Sequence, residues 1–244
     1  MRSYENELAS RVAFIREVIT TAGAEGIVYG NSGGKDSALV GALCKKACEN
    51  TVGLIMPCGI IRSYISDKPD AEVIAKHFGI TTRIVDLSAA GNELTLTLGE
   101  AAKLTGNASA NIAPRLRMTA LYAVATTENR LVAGTGNRSE AYMGYFTKWG
   151  DGACDFNPIA DLTVTEIYEF LKFLEAPAFV IEKAPSAGLR DGQTDEDDMG
   201  VTYRSIDAYL QGGETDEHDT AAIEKHHNAS EHKRTAPVVY AGNK

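Results

Sequence analysis

Short apolar runs punctuate the chain at Ile27-Val28-Tyr29, at 52–56, at 83–87 and at Leu131-Val132-Ala133, each reading as a strand. Between them lie longer stretches with helical spacing, 36–47, 70–78 and 111–127, the second stopped by Gly79. Strands alternating with helices are the pattern of a parallel sheet built from βαβ units, with helices on both of its faces. After Gly134 the texture changes to a long polar, glycine-rich connection that reaches Pro158, followed by a helix over 163–174. Connections this long are uncommon in compact domains unless they carry function. A second polar segment, 187–200, holds four acidic residues in a row from Asp195 to Asp198 and equally reads as a solvated loop. The chain thus reads as one domain over 1–244. Its core spans 23–186, and 187–244 form a flexible acidic loop and a helical extension.

Composition narrows the function classes. With 24 Lys and Arg against 33 Asp and Glu, the 244-residue chain carries a net charge of −9. Binding to a nucleic-acid backbone draws on clustered basic residues, so no nucleic-acid partner is expected. There is no run of about 20 apolar residues that could span a bilayer, and the first residues lack an apolar signal core, so a cytoplasmic protein with no membrane partner is expected. Cys44, Cys48, Cys58 and Cys154 show no metal-ligand spacing and read as reduced thiols, Cys58 as a packing residue.

The strongest local signal is Gly30-Asn31-Ser32-Gly33-Gly34-Lys35-Asp36-Ser37, directly after the first strand and opening the first helix. Unpaired N–H groups and the positive end of the helix dipole make that position an anion site, and the glycines let the backbone approach a phosphate. The spacing is not that of a Walker A loop. Gly134-Thr135-Gly136 is not a dinucleotide fingerprint either, because Ser139 stands where a third glycine belongs. A carboxylate in a phosphate cradle points to a bridging divalent cation, Mg²⁺, on Asp36, while helix N-capping is the plainer role for the same residue.

The SGGKDS run resembles the pyrophosphate loop of N-type ATP pyrophosphatases, which activate a carboxylate or carbonyl oxygen as an adenylate. Further motifs, in order, are NIAPRLRM (111–118), Gly134-Thr135, Ser139-Glu140-Ala141, GYFTK (144–148), GDG (150–152), Pro158-Ile159, GQTDE (192–196) and EHKR (231–234). Together they resemble the ammonia-dependent NAD synthetase family over nearly the whole chain. The resemblance implies a Rossmann-like sheet of the adenine nucleotide alpha hydrolase kind. It also implies a two-step amidation: ATP adenylates the nicotinate carboxylate of deamido-NAD, pyrophosphate leaves, and ammonia attacks to give NAD and AMP.

By the same resemblance, ATP lies on Gly30 to Ser37, Thr135 and Ser186, and Mg²⁺ on Asp36 and Glu140. Deamido-NAD lies on Arg115, Lys148, Asp155, His232 and Lys233, catalytic roles fall to Asp36, Lys148 and Asp155, and the assembly is a homodimer. The segment 191–198 would order over the site, and glutamine-using relatives carry an extra amidase domain for which 244 residues leave no room. Some of these positions also have a plainer reading: Arg115 or Arg117 as a solvated helix face, Asp155 as a turn cap, His232 as one of several surface histidines. Two departures stand out. Val164 occupies a position where the family commonly has Lys, so one phosphate contact is either missing or made by Lys35 or Lys183, and Pro114 implies that the long helix starts near that residue. Other N-type pyrophosphatases, or an ATP-binding sensor without turnover, are the competing classes.

Overall fold

In a computed structural model of the protein, residues 2–59, 67–182, 194–240 and 242 are described. The chain runs through α1 (Tyr4–Ala22), β1 (Gly26–Gly30), α2 (Lys35–Ala47), β2 (Thr51–Ile55), α3 (Lys68–Phe78), β3 (Thr81–Ile84) and α4 (Ser88–Ala101). It continues with α5 (Gly106–Ala110), α6 (Ile112–Thr127), β4 (Arg130–Ala133), α7 (Arg138–Met143), α8 (Val164–Phe173) and α9 (Ala178–Glu182). The last elements are α10 (Asp195–Met199), α11 (Tyr203–Leu210), α12 (Glu217–Ala229) and α13 (Glu231–Arg234).

The sheet order is β3-β2-β1-β4, with every described pairing parallel. The chain winds outward from β1 through β2 to β3, then crosses back to place β4 on the other side of β1. That reversal opens a crevice at the carboxyl ends of β1 and β4, where open α/β sheets bind ligands. β1 and β2 are apolar because both of their faces are covered. On one side Ile27, Tyr29, Leu39, Leu43, Ile74, Ile167 and Phe170 form a core with α1, α2, α3 and α8. On the other, Val28, Val52, Leu54 and Val132 pack under α6.

The C-terminal helices dock on the body through a third cluster of Met143, Val164, Met199, Tyr203, Ile206 and Ile223. A buried carboxylate reinforces that joint. Asp207 accepts from Ser139 Oγ at 2.5 Å, from the Thr165 amide at 2.7 Å and from Thr165 Oγ1 at 2.6 Å, so one α11 side chain ties down α7 and the start of α8. Among the described residues no helix is long and apolar enough to cross a membrane.

The structure corrects several boundaries. The third strand covers Thr81–Ile84 rather than 83–87, because it is an edge strand, mostly exposed, whose apolar pattern is diluted. The long helix begins at Ile112, two residues before Pro114; proline fits there because the missing N–H belongs to the first turn, where it has no partner anyway. The connection 134–158 contains α7, closed by a capping box in which Asn137 and Glu140 exchange hydrogen bonds. Residues 195–199 are not a loop but α10, capped by Thr194.

Candidate functional site

β1 ends at Gly30, and the chain turns through Asn31 to Gly34 before α2 starts. Gly33 has φ 78°, and a Cβ there would lie 2.6 Å from the Asp67 carbonyl, so the turn needs glycine on both counts. Asn31 holds the turn by accepting from the Gly33 amide and donating to the Ala71 carbonyl at 3.0 Å. The residue that caps α2 is Gly34 rather than Asp36, which frees the Asp36 carboxylate for other work. The first amides of α2 thus face the carboxyl ends of β1 and β4 with no helical partner, the geometry of an anion cradle.

Asp36 faces Glu140 across the crevice. Asp36 accepts from Lys35 Nζ at 2.7 Å and from Asn137 Nδ2 at 3.0 Å. Glu140 accepts from the Asn137 amide at 3.1 Å and stands 3.9 Å from Lys35 Nζ. Burial, and then the Asp36 charge, push the Glu140 carboxyl up to about 8. The Lys35 ammonium is buried too, yet Asp36 and Glu140 outweigh its desolvation and raise its pKa. Two hard carboxylate donors brought together in a desolvated cleft, beside a phosphate cradle, are a donor set that suits Mg²⁺ shared with a triphosphate. Among the described residues the one three-donor cluster with ligand atoms in reach of each other is elsewhere, at exposed Asp216 and His218 and half-buried Asp219.

These groups line one cavity of about 670 Å³ that runs from the loop past Thr135 to the C-terminal helices. Asp195 and Asp198 of α10 close one side, held by Tyr203 Oη at 3.1 Å and Tyr145 Oη at 2.8 Å. Lys233 closes another, donating to the Gly144 and Phe146 carbonyls at 2.7 and 2.8 Å. The segment 144–148 is thereby clamped against α13.

The expected dinucleotide residues divide. Lys233 lines the cavity, whereas Arg115, Lys148, Asp155 and His232 do not. Arg115 donates to the Lys148 carbonyl at 3.3 Å and Lys148 Nζ donates to the His232 carbonyl, so these three form a hydrogen-bonded series outside the cavity. Asp155 accepts from the Val132 amide at 2.7 Å and from Tyr122 Oη at 3.2 Å, pinning the end of β4. Ser186 and Lys183 lie outside the described residues. Cys58 is buried, with Sγ 3.7 Å from the Leu87 carbonyl and packed on Gly91.

Arg117, Asp195 and Asp198 line the cavity, although the sequence assigns no individual role to any of them: 191–198 is expected only as a segment ordering over the site, and Arg117 only as an alternative solvated helix face. For Arg117 a signal existed. Residues two apart on a helix point about 200° apart, so Arg115 and Arg117 cannot both face the cavity.

A family model described as NAD synthase matches residues 7–238. The NH(3)-dependent NAD(+) synthetase of Carboxydothermus hydrogenoformans is 45% identical over 97% of this chain and 98% of its own length. Among solved structures, the NMN synthetase of Francisella tularensis matches with a TM-score of 0.93 at 36% identity, covering 99% of this chain and all of that one. The NH3-dependent NAD synthetase of Campylobacter jejuni, solved with a nitrate ion, matches at 0.81 and 28% identity over 98% of this chain.

Proposed function

The chain belongs to the NAD synthase family, and from that premise we propose that it joins ammonia to the nicotinate carboxylate of deamido-NAD, using ATP and forming a C–N bond. The observation that carries the reading is the pairing of an anion cradle at Gly30 to Ser37 with the Asp36–Glu140 carboxylates at the carboxyl ends of β1 and β4.

The reaction proceeds in two displacements. A carboxylate oxygen of the acceptor attacks the α-phosphorus of ATP, the bond to the β-phosphate breaks, and pyrophosphate leaves. Ammonia then attacks the acyl carbon, the bond to the AMP oxygen breaks, and the surplus proton on nitrogen passes to solvent. No side-chain nucleophile is needed; the protein positions the reactants and stabilises charge. The α2 amides and Ser32 and Ser37 hold the β- and γ-phosphates, and Lys35 adds a cation at the same place. Asp36 and Glu140 would hold Mg²⁺, which when bound would lower the charge on the departing pyrophosphate. Lys233 supplies positive charge on the acceptor side. A homodimer accounts for the solvent-facing leucines of α4, Leu94, Leu96 and Leu98, and for the placement of Arg115, Lys148 and His232 outside the cavity of one protomer.

The adenylate is tested by labelling the acceptor carboxylate with ¹⁸O. One label atom in the phosphate of AMP supports it, and unlabelled AMP overturns it.

A second reading concerns the acceptor. The fold follows the NMN synthetase of F. tularensis more closely than the NAD synthetase of C. jejuni. On that reading the acid amidated is the mononucleotide that becomes NMN. Competition between the two acids decides, the preferred one having the larger kcat/KM.

A further inference from the structure

We infer that Arg117 holds an oxyanion of the reacting pair, either the carboxylate of the acceptor or the α-phosphoryl group of ATP. The inference rests on the amidation reading above and adds to it a residue placed by the packing of α6 on β2.

Arg117 reaches from α6 under the carboxyl end of β2, where Nε donates to the Met56 carbonyl at 3.0 Å. That bond fixes the plane of the guanidinium. Its two terminal nitrogens make no hydrogen bond and no ion pair with the described residues, and the side chain lines the same cavity as the phosphate loop and Glu140. Burial lowers the Arg117 pKa, and the charges that act on it, Cys58, Asp151 and Asp67, only partly offset that burial. A guanidinium stays charged under such conditions, so the fold keeps a desolvated cation without a counter-ion in contact among the described residues.

The other cations of the cavity are differently placed. Lys35 is committed to Asp36 and Glu140, Lys233 to two backbone carbonyls, and Lys68 is a flexible point charge at the start of α3. Arg117 alone among them presents a planar fork of parallel donors, the shape that pairs with two oxygens of a carboxylate or phosphate. The chemistry calls for such a group, because adenylation forces a carboxylate onto a phosphorus ringed by anionic oxygens, and a fixed cation beside them reduces that repulsion.

The test measures equilibrium affinities of the Arg117→Gln variant for deamido-NAD, NAD, ATP, AMP and adenosine. A loss of about 10- to 100-fold is expected for the ligands that carry the recognised oxyanion. If it is the carboxylate, binding of deamido-NAD falls while that of its amide, NAD, holds. If it is the α-phosphate, ATP and AMP weaken together while adenosine holds. A folded variant whose affinities all stay within twofold overturns the inference. Should Arg117→Gln fail to fold, Arg117→Lys keeps the charge without the fork and is expected to lose the same ligand, and phenylglyoxal modification of the wild-type protein, mapped by mass spectrometry, reads the site directly. Protection of Arg117 by deamido-NAD or AMP supports the inference, and equal labelling with and without both overturns it. Turnover of the wild-type preparation keeps the two failures apart: absence of amide product counts against the amidation reading, and product with an unaffected variant counts against Arg117.

Discussion

Gly144 and Ser230 touch so closely that a Cβ at 144 would lie 2.1 Å from the Ser230 Cβ. Gly144 ends α7 at φ 65°, and Ser230 joins α12 to α13, so this contact seats the C-terminal helices on the site loop. Beside it, Arg234 donates to the Ala141 and Tyr142 carbonyls, and Lys233 donates to those of Gly144 and Phe146. Gly144→Ala therefore combines a left-handed backbone with a steric clash. It is expected to lower stability by about 1–3 kcal/mol and to raise KM for the acceptor. Thermal unfolding and steady-state kinetics check this, and Ser230→Gly in the same chain is expected to recover part of both losses.

Lys35 and Val164 make a second pair. Val164 opens α8 in the cluster that includes Tyr203, and Lys35 Nζ stands 5.5 Å from the centre of the Tyr203 ring. A lysine at 164 would carry its ammonium into the neighbourhood that Lys35 occupies. Lys35→Val is expected to weaken ATP binding about tenfold or more, since a charge-assisted contact is lost. Adding Val164→Lys is expected to restore most of it, as read by calorimetric titration with ATP.

The Tyr29 hydroxyl is fully buried and has no hydrogen-bond partner among the described residues. It lies between Gly41 and Gly53, whose Cβ atoms, were they present, would stand 2.4 and 3.1 Å from it. An unsatisfied buried hydroxyl costs about 1–3 kcal/mol, so Tyr29→Phe is expected to be neutral or stabilising. Denaturant unfolding measures the change, and a marked loss of stability would contradict it.

Legibility in the sequence followed distance along the chain. β1, β2, β4, α2, α6 and α8 were readable because each carries its own periodicity, and so was the loop because its glycines, Lys35 and Asp36 are contiguous. α1 was not read: of its 19 residues only Arg11 and Ile15 are buried, which leaves a weak apolar stripe. α4 was missed because Leu94, Leu96 and Leu98 alternate as they would in a strand, and all three face solvent. Arg117, Asp195 and Asp198 reach the site only through the packing of α6 on β2 and of α10 beside Tyr145 and Tyr203, which local pattern does not encode.

Arg11 and Asp161 fasten α1 to the segment after the site by paired bonds of 2.7 and 2.8 Å. Burial disfavours the Asp161 charge, but Arg11 and then Arg2 outweigh it and hold the carboxyl below its usual pKa. A depressed carboxyl contributes stability above the unfolded value, near about 4, and loses it as pH falls through the folded one. Asp161→Asn is thus expected to be less stable than the parent at pH 7, with the difference closing below about pH 4. Unfolding curves at both pH values check the sign.

The central claim is the reaction itself, and product analysis tests it most directly. The protein is mixed with ATP, Mg²⁺, ammonium and deamido-NAD, and in parallel with the mononucleotide acid, and nucleotides are resolved by chromatography over time. The account predicts an amide product and AMP in equal amounts, with pyrophosphate. ADP in place of AMP, or bound ATP with no amide formed from either acid, would contradict it.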